Sequence, residues 1–197
     1  MTKLRETRAL SGVRRPKGYV GIDHITIGSD ILSVLQILKL PEQVIGEANA
    51  RRLGEVDPNE WYPIAWLLDL METLDREVGH YGLLRMGRRL FQLSHEKRVL
   101  EVAKSAHDIV HGIDAMYHHA NRGKQIGGWK VLSFAPGQAE LEKNTPHHCV
   151  MEQGILSAAL AAVGCPGIVE QRQCFRQGAD TCVYTISSSL TDARWSG

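Results

Sequence analysis

The chain has 197 residues, of which 43% are hydrophobic and 23% charged, the balance of a soluble globular domain and not of a collagen, a disordered tail or a disulfide-stapled miniprotein. At this length folding buries roughly 70% of the surface of the extended chain, so an apolar core can hold the fold unaided and any metal is an addition to it. The formal charge is only +1, which gives no general electrostatic case for nucleic acid or membrane as a partner.

The bases are unevenly spread. Lys3, Arg5, Arg8, Arg14, Arg15 and Lys17 face the single acid Glu6, so residues 1–20 read as a flexible basic arm. Residues 21–187 then form a single ligand-binding domain, and 188–197 a C-terminal tail. Ser29 or Asp30 caps a helix with Ile31, Val34, Leu35 and Leu38 on one face. A second helix runs from Pro41 to about Leu53 and stops at Gly54. Asp57, Pro58 and Glu60 give a strong start signal for a third, which carries Trp61, Ile64, Ala65, Leu68 and Met71 to about Leu74. Another covers Tyr81 to Leu93. Ser94 introduces the longest, ended by Arg122 and Gly123, with apolar residues at the helical period from Val99 to Tyr117. After Gly127 and Gly128 the pattern changes to strands at Trp129–Phe134 and Gln138–Leu141. A helix from Cys149 to Val163 follows, and then a hairpin of Ile168–Phe175 and Thr181–Ser187. The fold class is therefore α+β, a helical N-terminal half packed on a four- to five-stranded antiparallel sheet.

Four cysteines, Cys149, Cys165, Cys174 and Cys182, crowd the last quarter. No early stretch reads as a signal peptide and no run of about 18 apolar residues could span a bilayer. The expected location is cytoplasmic, where clustered cysteines are thiols or metal ligands. Cys174 and Cys182 are equidistant from Gly178, so a symmetric hairpin puts them opposite one another on one face. Cys149 opens the preceding helix, where the dipole favours the thiolate that binds zinc. The alternative for all of them is burial as small hydrophobes.

The segment HHCVMEQGILSAALAAVGCPGIVEQRQCFRQGADTCVYTI resembles the C-terminal signature of the 4-vinyl reductase domain, a ligand-binding module that also serves as the sensory part of phenol- and xylene-responsive activators. Cys149, Gly164, Cys174 and Cys182 match its positions, and the likeness covers about residues 127–187. YPIAWLLDLMETLDREVGHYGLLRMGRRL more weakly resembles a myxobacterial family of unassigned function. The first resemblance implies the fold of haem nitric-oxide sensors and vesicle-tethering subunits, usually dimeric. It also implies a structural zinc on Cys149, Cys174 and Cys182 with a glutamate three residues before the middle cysteine. That position is Gln171 here, so Glu170, one residue earlier, is the expected substitute if a bulge turns it inward, with Cys165, His147 or His148 as alternatives.

His107, His111, Asp114 and His118 fall within about 60° of one another on a helix, either a solvated or interface face or a source of metal or axial haem ligands. In the aromatic-sensing relatives a flat ligand lies between helices and sheet, and the expected equivalents are Trp129, His107 or His111, Phe134 and Tyr117. No nucleophile elbow, P-loop, HExxH or dinucleotide fingerprint appears. The reading is a non-enzymatic sensory domain for a small apolar or aromatic molecule, a homodimer that acts through a signalling protein partner. The alternatives are a haem or tetrapyrrole carrier or gas sensor, and a tethering protein without a ligand.

Overall fold

A computed structural model describes residues 13–21 and 23–195; the first twelve residues of the expected basic arm lie outside these. The described end of the arm is held down. Lys17 pairs with Asp180 at 2.8 Å, Arg14 donates to the Gly178 carbonyl and Arg15 to that of Pro146.

The chain begins with β1 (Ile25–Ile27) and α1 (Gly28–Ile37), followed by α2 (Pro41–Ile45) and α3 (Glu47–Gly54). The single helix expected over Pro41 to Leu53 is thus two, because Gly46 takes φ 81° between them. The start signal at Asp57 and Pro58 opens no helix. Asp57 Oδ1 accepts the Asn59 N–H in a local turn, and Pro63 biases Tyr62 towards extended backbone. Trp61–Pro63 is therefore β2, and α4 (Ile64–Leu90) starts only after it. The helices expected to end near Leu74 and start near Tyr81 meet in α4 at a sharp break, where Gly79 has φ 64° and ψ −177°.

One π-helical turn, Phe91–His95, leads into α5 (Glu96–Val102), and α6 spans Ala106–Ala120. The longest expected helix is therefore divided. The cause is local: Ser105 accepts the Asp108 N–H at 3.1 Å while Asp108 accepts that of Ser105 at 3.0 Å, a capping box that starts a new helix. β3 (Asn121–Arg122) joins β1 and β2 in a three-stranded antiparallel sheet of order β2-β1-β3, so the first half is not all helical.

The second half follows its pattern closely. β4 (Trp129–Ala135), β5 (Gln138–Lys143), β6 (Ile168–Gln173) and β7 (Cys182–Ser187) form a four-stranded antiparallel sheet of order β4-β5-β7-β6, with α7 (Cys149–Ala162) inserted before β6. Along β5, Ala139, Leu141 and Lys143 are buried and the residues between them are not, the period of two that puts one sheet face against the helices. α7 crosses α4 at backbone distance. A Cβ on Gly87 would lie 1.9 Å from the Met151 carbonyl oxygen, and one on Gly154 2.2 Å from that of Leu84, so only glycine fits on either side of this seam. The residues expected as a tail end in a short turn that buries Trp195 to 1% exposure, stacked on Phe134.

Candidate functional site: a thiol cluster and an apolar pocket

The register brings the hairpin cysteines together as the symmetric reading requires. Gln173 pairs with Val183, so Cys174 and Cys182 follow as neighbours across the strands. Cys149, at the first turn of α7, sits over them, with its Sγ 3.2 Å from that of Cys182 and 3.5 Å from that of Cys174. All three are buried. The Cys149 and Cys182 side chains and the Arg176 and Gln177 N–H groups hold the Cys174 thiol far below its ordinary range, whereas Cys182 is pushed up by Cys149 and Cys174. The pocket thus already favours a thiolate.

One buried and one half-buried cation flank it. Lys143 is fully buried, stands opposite Cys182 in the β5–β7 register and donates to the His147 carbonyl at 2.8 Å. Arg176 binds Glu72 through both of its terminal nitrogens and reaches Asp75 at 3.3 Å.

Three sulfurs within 4.8 Å of one another fit three corners of a zinc tetrahedron, whose edge is about 3.8 Å for Zn–S bonds of about 2.3 Å. The expected fourth ligand is not among them. A bulge does interrupt the β6–β7 register between Gln171 and Gln173, but Glu170 pairs with Thr185 and turns outward to an ion pair with Arg172 at 3.3 Å. The substitutes lie elsewhere. Cys165 bonds to the Arg194 carbonyl, His147 to Glu152 at 3.0 Å, and His148 approaches Asp75 at 3.2 Å.

The five expected pocket residues divide into two groups. His107, His111 and Phe134 form a ring cluster where α6 meets β4, with His107 and His111 centroids 4.3 Å apart and both edge-on to Phe134. Trp129 and Tyr117 lie deeper and line an inner cavity of about 30 Å³ with Asp30, His95, Asn121, His147 and Glu152. That space is water-sized. Its lining is ionic. Burial outweighs the attraction of His95 and lifts the Asp30 carboxyl, whereas Glu152, equally buried, is brought down by Lys143 and His147.

The larger apolar space was not anticipated. Between α5 and α6, floored by Ala159 of α7, lies a pocket of about 250 Å³ lined by Val99, Val102, Ile109, Ile113 and Met116, with His95, Arg98 and His119 among its polar groups. No residue of α5 is fully buried, and Val102 is 81% exposed at the rim. The break at Ser105 folds α5 back over α6 and makes this space. Gly112 lines it too, and a Cβ there would meet no atom within 4 Å. Mid-helix glycine and the Ser105–Asp108 box were the available sequence signals.

No family profile matches this chain, and no curated protein sequence matches it either. Solved structures do. An H-NOX protein from Shewanella oneidensis in its Fe(II) ligation state aligns with TM-score 0.62 at 16% identity, covering 84% of this chain and 98% of that one. The Fe(II) unliganded H-NOX protein from K. algicida gives 0.60 at 12%, covering 83% and 96%. A third, from work on heme distortion in the H-NOX family, gives 0.61 at 10%, covering 84% and 97%.

This chain has the H-NOX fold. The layered architecture that the C-terminal motif implied is therefore present, while the 4-vinyl reductase name rests on that motif alone. Heme is named for the third of these neighbours. The residues inside this chain do not fit that group: the inner cavity is water-sized and ringed by the Asp30, His147 and Glu152 side chains, and the α5–α6 pocket, though it has His95 and His119, offers about 250 Å³, room for a small molecule at the low end of ligand pockets but not for a large flat macrocycle. Among the described residues no helix is long and apolar enough to cross a membrane.

Proposed function

We propose that this chain is a non-enzymatic sensory domain that binds a small apolar molecule between α5 and α6 and carries a structural zinc on Cys149, Cys174 and Cys182. The observation that supports the first part is the apolar pocket of about 250 Å³ under a helix with no fully buried residue. A ligand there adds buried surface that α5 lacks by itself, at roughly 25 cal/mol per Å², and so shifts α5 towards one docked position. His95 and Met116 line both this pocket and the inner cavity, so the position of α5 reaches the core. The output passes to a signalling partner in the cytoplasm, with the protein acting as a homodimer.

The zinc is supported by the thiol geometry and by the cations. Three thiolates and one Zn²⁺ carry a net charge of −1, which buried Lys143 and Arg176 are placed to balance. When bound, zinc ties α7 to the β6–β7 hairpin; Tyr184 supports the same junction by donating to the Cys149 carbonyl at 2.8 Å.

Native mass spectrometry and elemental analysis of the purified protein, with thermal shift against a panel of small apolar compounds, test both parts. We expect one zinc per chain and a ligand-dependent rise in Tm that Gly112→Leu abolishes by filling the pocket. A panel without effect overturns the ligand site, and metal-free protein of unchanged stability overturns the zinc. The second reading, haem, comes from the H-NOX fold alone, since neither space inside the chain fits the group. A Soret band retained through purification and lost in His119→Ala would replace the first reading with it.

A further inference from the structure

The mouth of the α5–α6 pocket carries a guanidinium with no carboxylate partner among the described residues. Arg98 lines it, and its guanidinium contacts Nε2 of His119 and makes no ion pair among the described residues. The carboxylate in the lining, Asp108, is committed elsewhere: it accepts the backbone N–H groups of Lys104 at 2.7 Å and Ser105 at 3.0 Å in the cap of α6. His95, at the other end, is turned towards buried Asp30, 3.5 Å away. Burial and then the neighbouring Arg98 hold His119 below the usual imidazole range, so Arg98 is the one permanently cationic side chain in the lining and faces a neutral imidazole, not the Asp108 carboxylate. Behind that charge the wall is Val99, Val102, Ile109, Ile113 and Met116.

We infer that the ligand of this pocket is a monoanion with an apolar body, a medium-chain or aryl carboxylate, whose head group binds the Arg98 guanidinium while its body lies on the α5–α6 wall. This rests on reading the pocket as the sensory site. The chemistry suits the pair: a planar guanidinium matches a carboxylate through two parallel N–H···O bonds. The apolar body covers Val102, and the head replaces the imidazole as the partner of Arg98. A neutral apolar molecule gains nothing from Arg98, and a cation meets it as a like charge at the head-group position.

Isothermal titration of the full chain with octanoate, octanol and octylamine tests the inference. Octanoate should bind at least tenfold more tightly than octanol, and octylamine most weakly. Arg98→Leu should bring octanoate down to the level of octanol without changing octanol, and Arg98→Lys should restore part of the preference. Arg98 is exposed, so these variants are expected to fold, and circular dichroism checks this. Octanol binding as tightly as octanoate, or a preference that survives Arg98→Leu, overturns the assignment of the head group while leaving the sensory pocket standing. No binding by any of the three, with Gly112→Leu indistinguishable from the parent, overturns the pocket and the inference together.

Discussion

The thiol cluster and the α5–α6 pocket lie at opposite extremes of how this chain holds itself together. Around the cluster, α4 and α7 touch backbone to backbone at Gly87 and Gly154, the sheet pairs strand by strand, and even the charged groups Lys143, Glu72 and Arg176 are locked in contacts. Around the pocket, a π turn, a short helix without a fully buried residue and a capping box follow one another within 18 residues, Phe91 to Asp108. The first region is built to stay as it is. The second is built from breaks, the low-stability end of a structure from which moving parts are drawn.

The largest effect should come from the rigid seam. Gly154→Ala places a Cβ against the Leu84 carbonyl and should cost about 3 kcal/mol, the upper end for overpacking, read as a fall in the urea midpoint. Next is zinc. At a free concentration a hundredfold above its Kd, one ion adds about 2.7 kcal/mol, so a chelator should lower Tm by roughly 5–10 °C, and Cys174→Ser with Cys182→Ser should lose both the metal and the chelator response. A chelator without effect on Tm would remove the metal from the contrast and leave the seam alone to explain the rigidity.

Smaller effects belong to the pocket. Ser105→Ala should cost about 1 kcal/mol by removing the cap, and hydrogen exchange should rise in α5 and the start of α6 before it rises in α7. The Lys104 N–H, foremost, holds the Asp108 carboxylate below its ordinary value of 3.8. Its contribution to stability is therefore complete above about pH 3.8 and is lost as pH falls through the lowered pKa; this acid limb should disappear in Asp108→Asn. The smallest change is a gain. Gly112→Ala should stabilise by about 0.8–1.0 kcal/mol, the helix propensity difference, with no clash to offset it. A loss instead would mean that the wall of the pocket is already closed in solution.

The same contrast governs what the sequence revealed. In the second half, period-two alternation along β5, the spacing of Cys174 and Cys182 about Gly178 and the Cys149 helix start all act between neighbours in the chain or across one tight turn, and the structure follows them. Glu170 turns away because the bulge at Arg172 lies between it and Cys174 and puts the two on opposite faces, and backbone register at that scale is not written in residue type. In the first half, apolar periodicity continues smoothly from Val99 to Tyr117, and it outweighed the box of Ser105 and Asp108 that divides the helix. β1 to β3 have two or three residues each, too short for a strand pattern, and Trp61 at a helical spacing from Ile64 and Leu68 disguised β2. His107 and His111 share a helix face as expected, but which neighbour that face meets is a tertiary matter: it is Phe134, not a cavity.

The outer strand β6 bears a final implication for how copies of this protein could associate. Its side chains Glu170 and Arg172 are more than half exposed and bonded to each other, and charges on a free sheet margin discourage a second chain from hydrogen-bonding alongside. The opposite margin, β4, touches α6, but Lys130, Leu132 and Ser133 along it are exposed. Strand pairing between copies is thus disfavoured along β6, which leaves the β4 edge, where Leu132 stands in solvent, and the α4 surface at Val78 and Tyr81 as the places where a twofold assembly would gain most from contact.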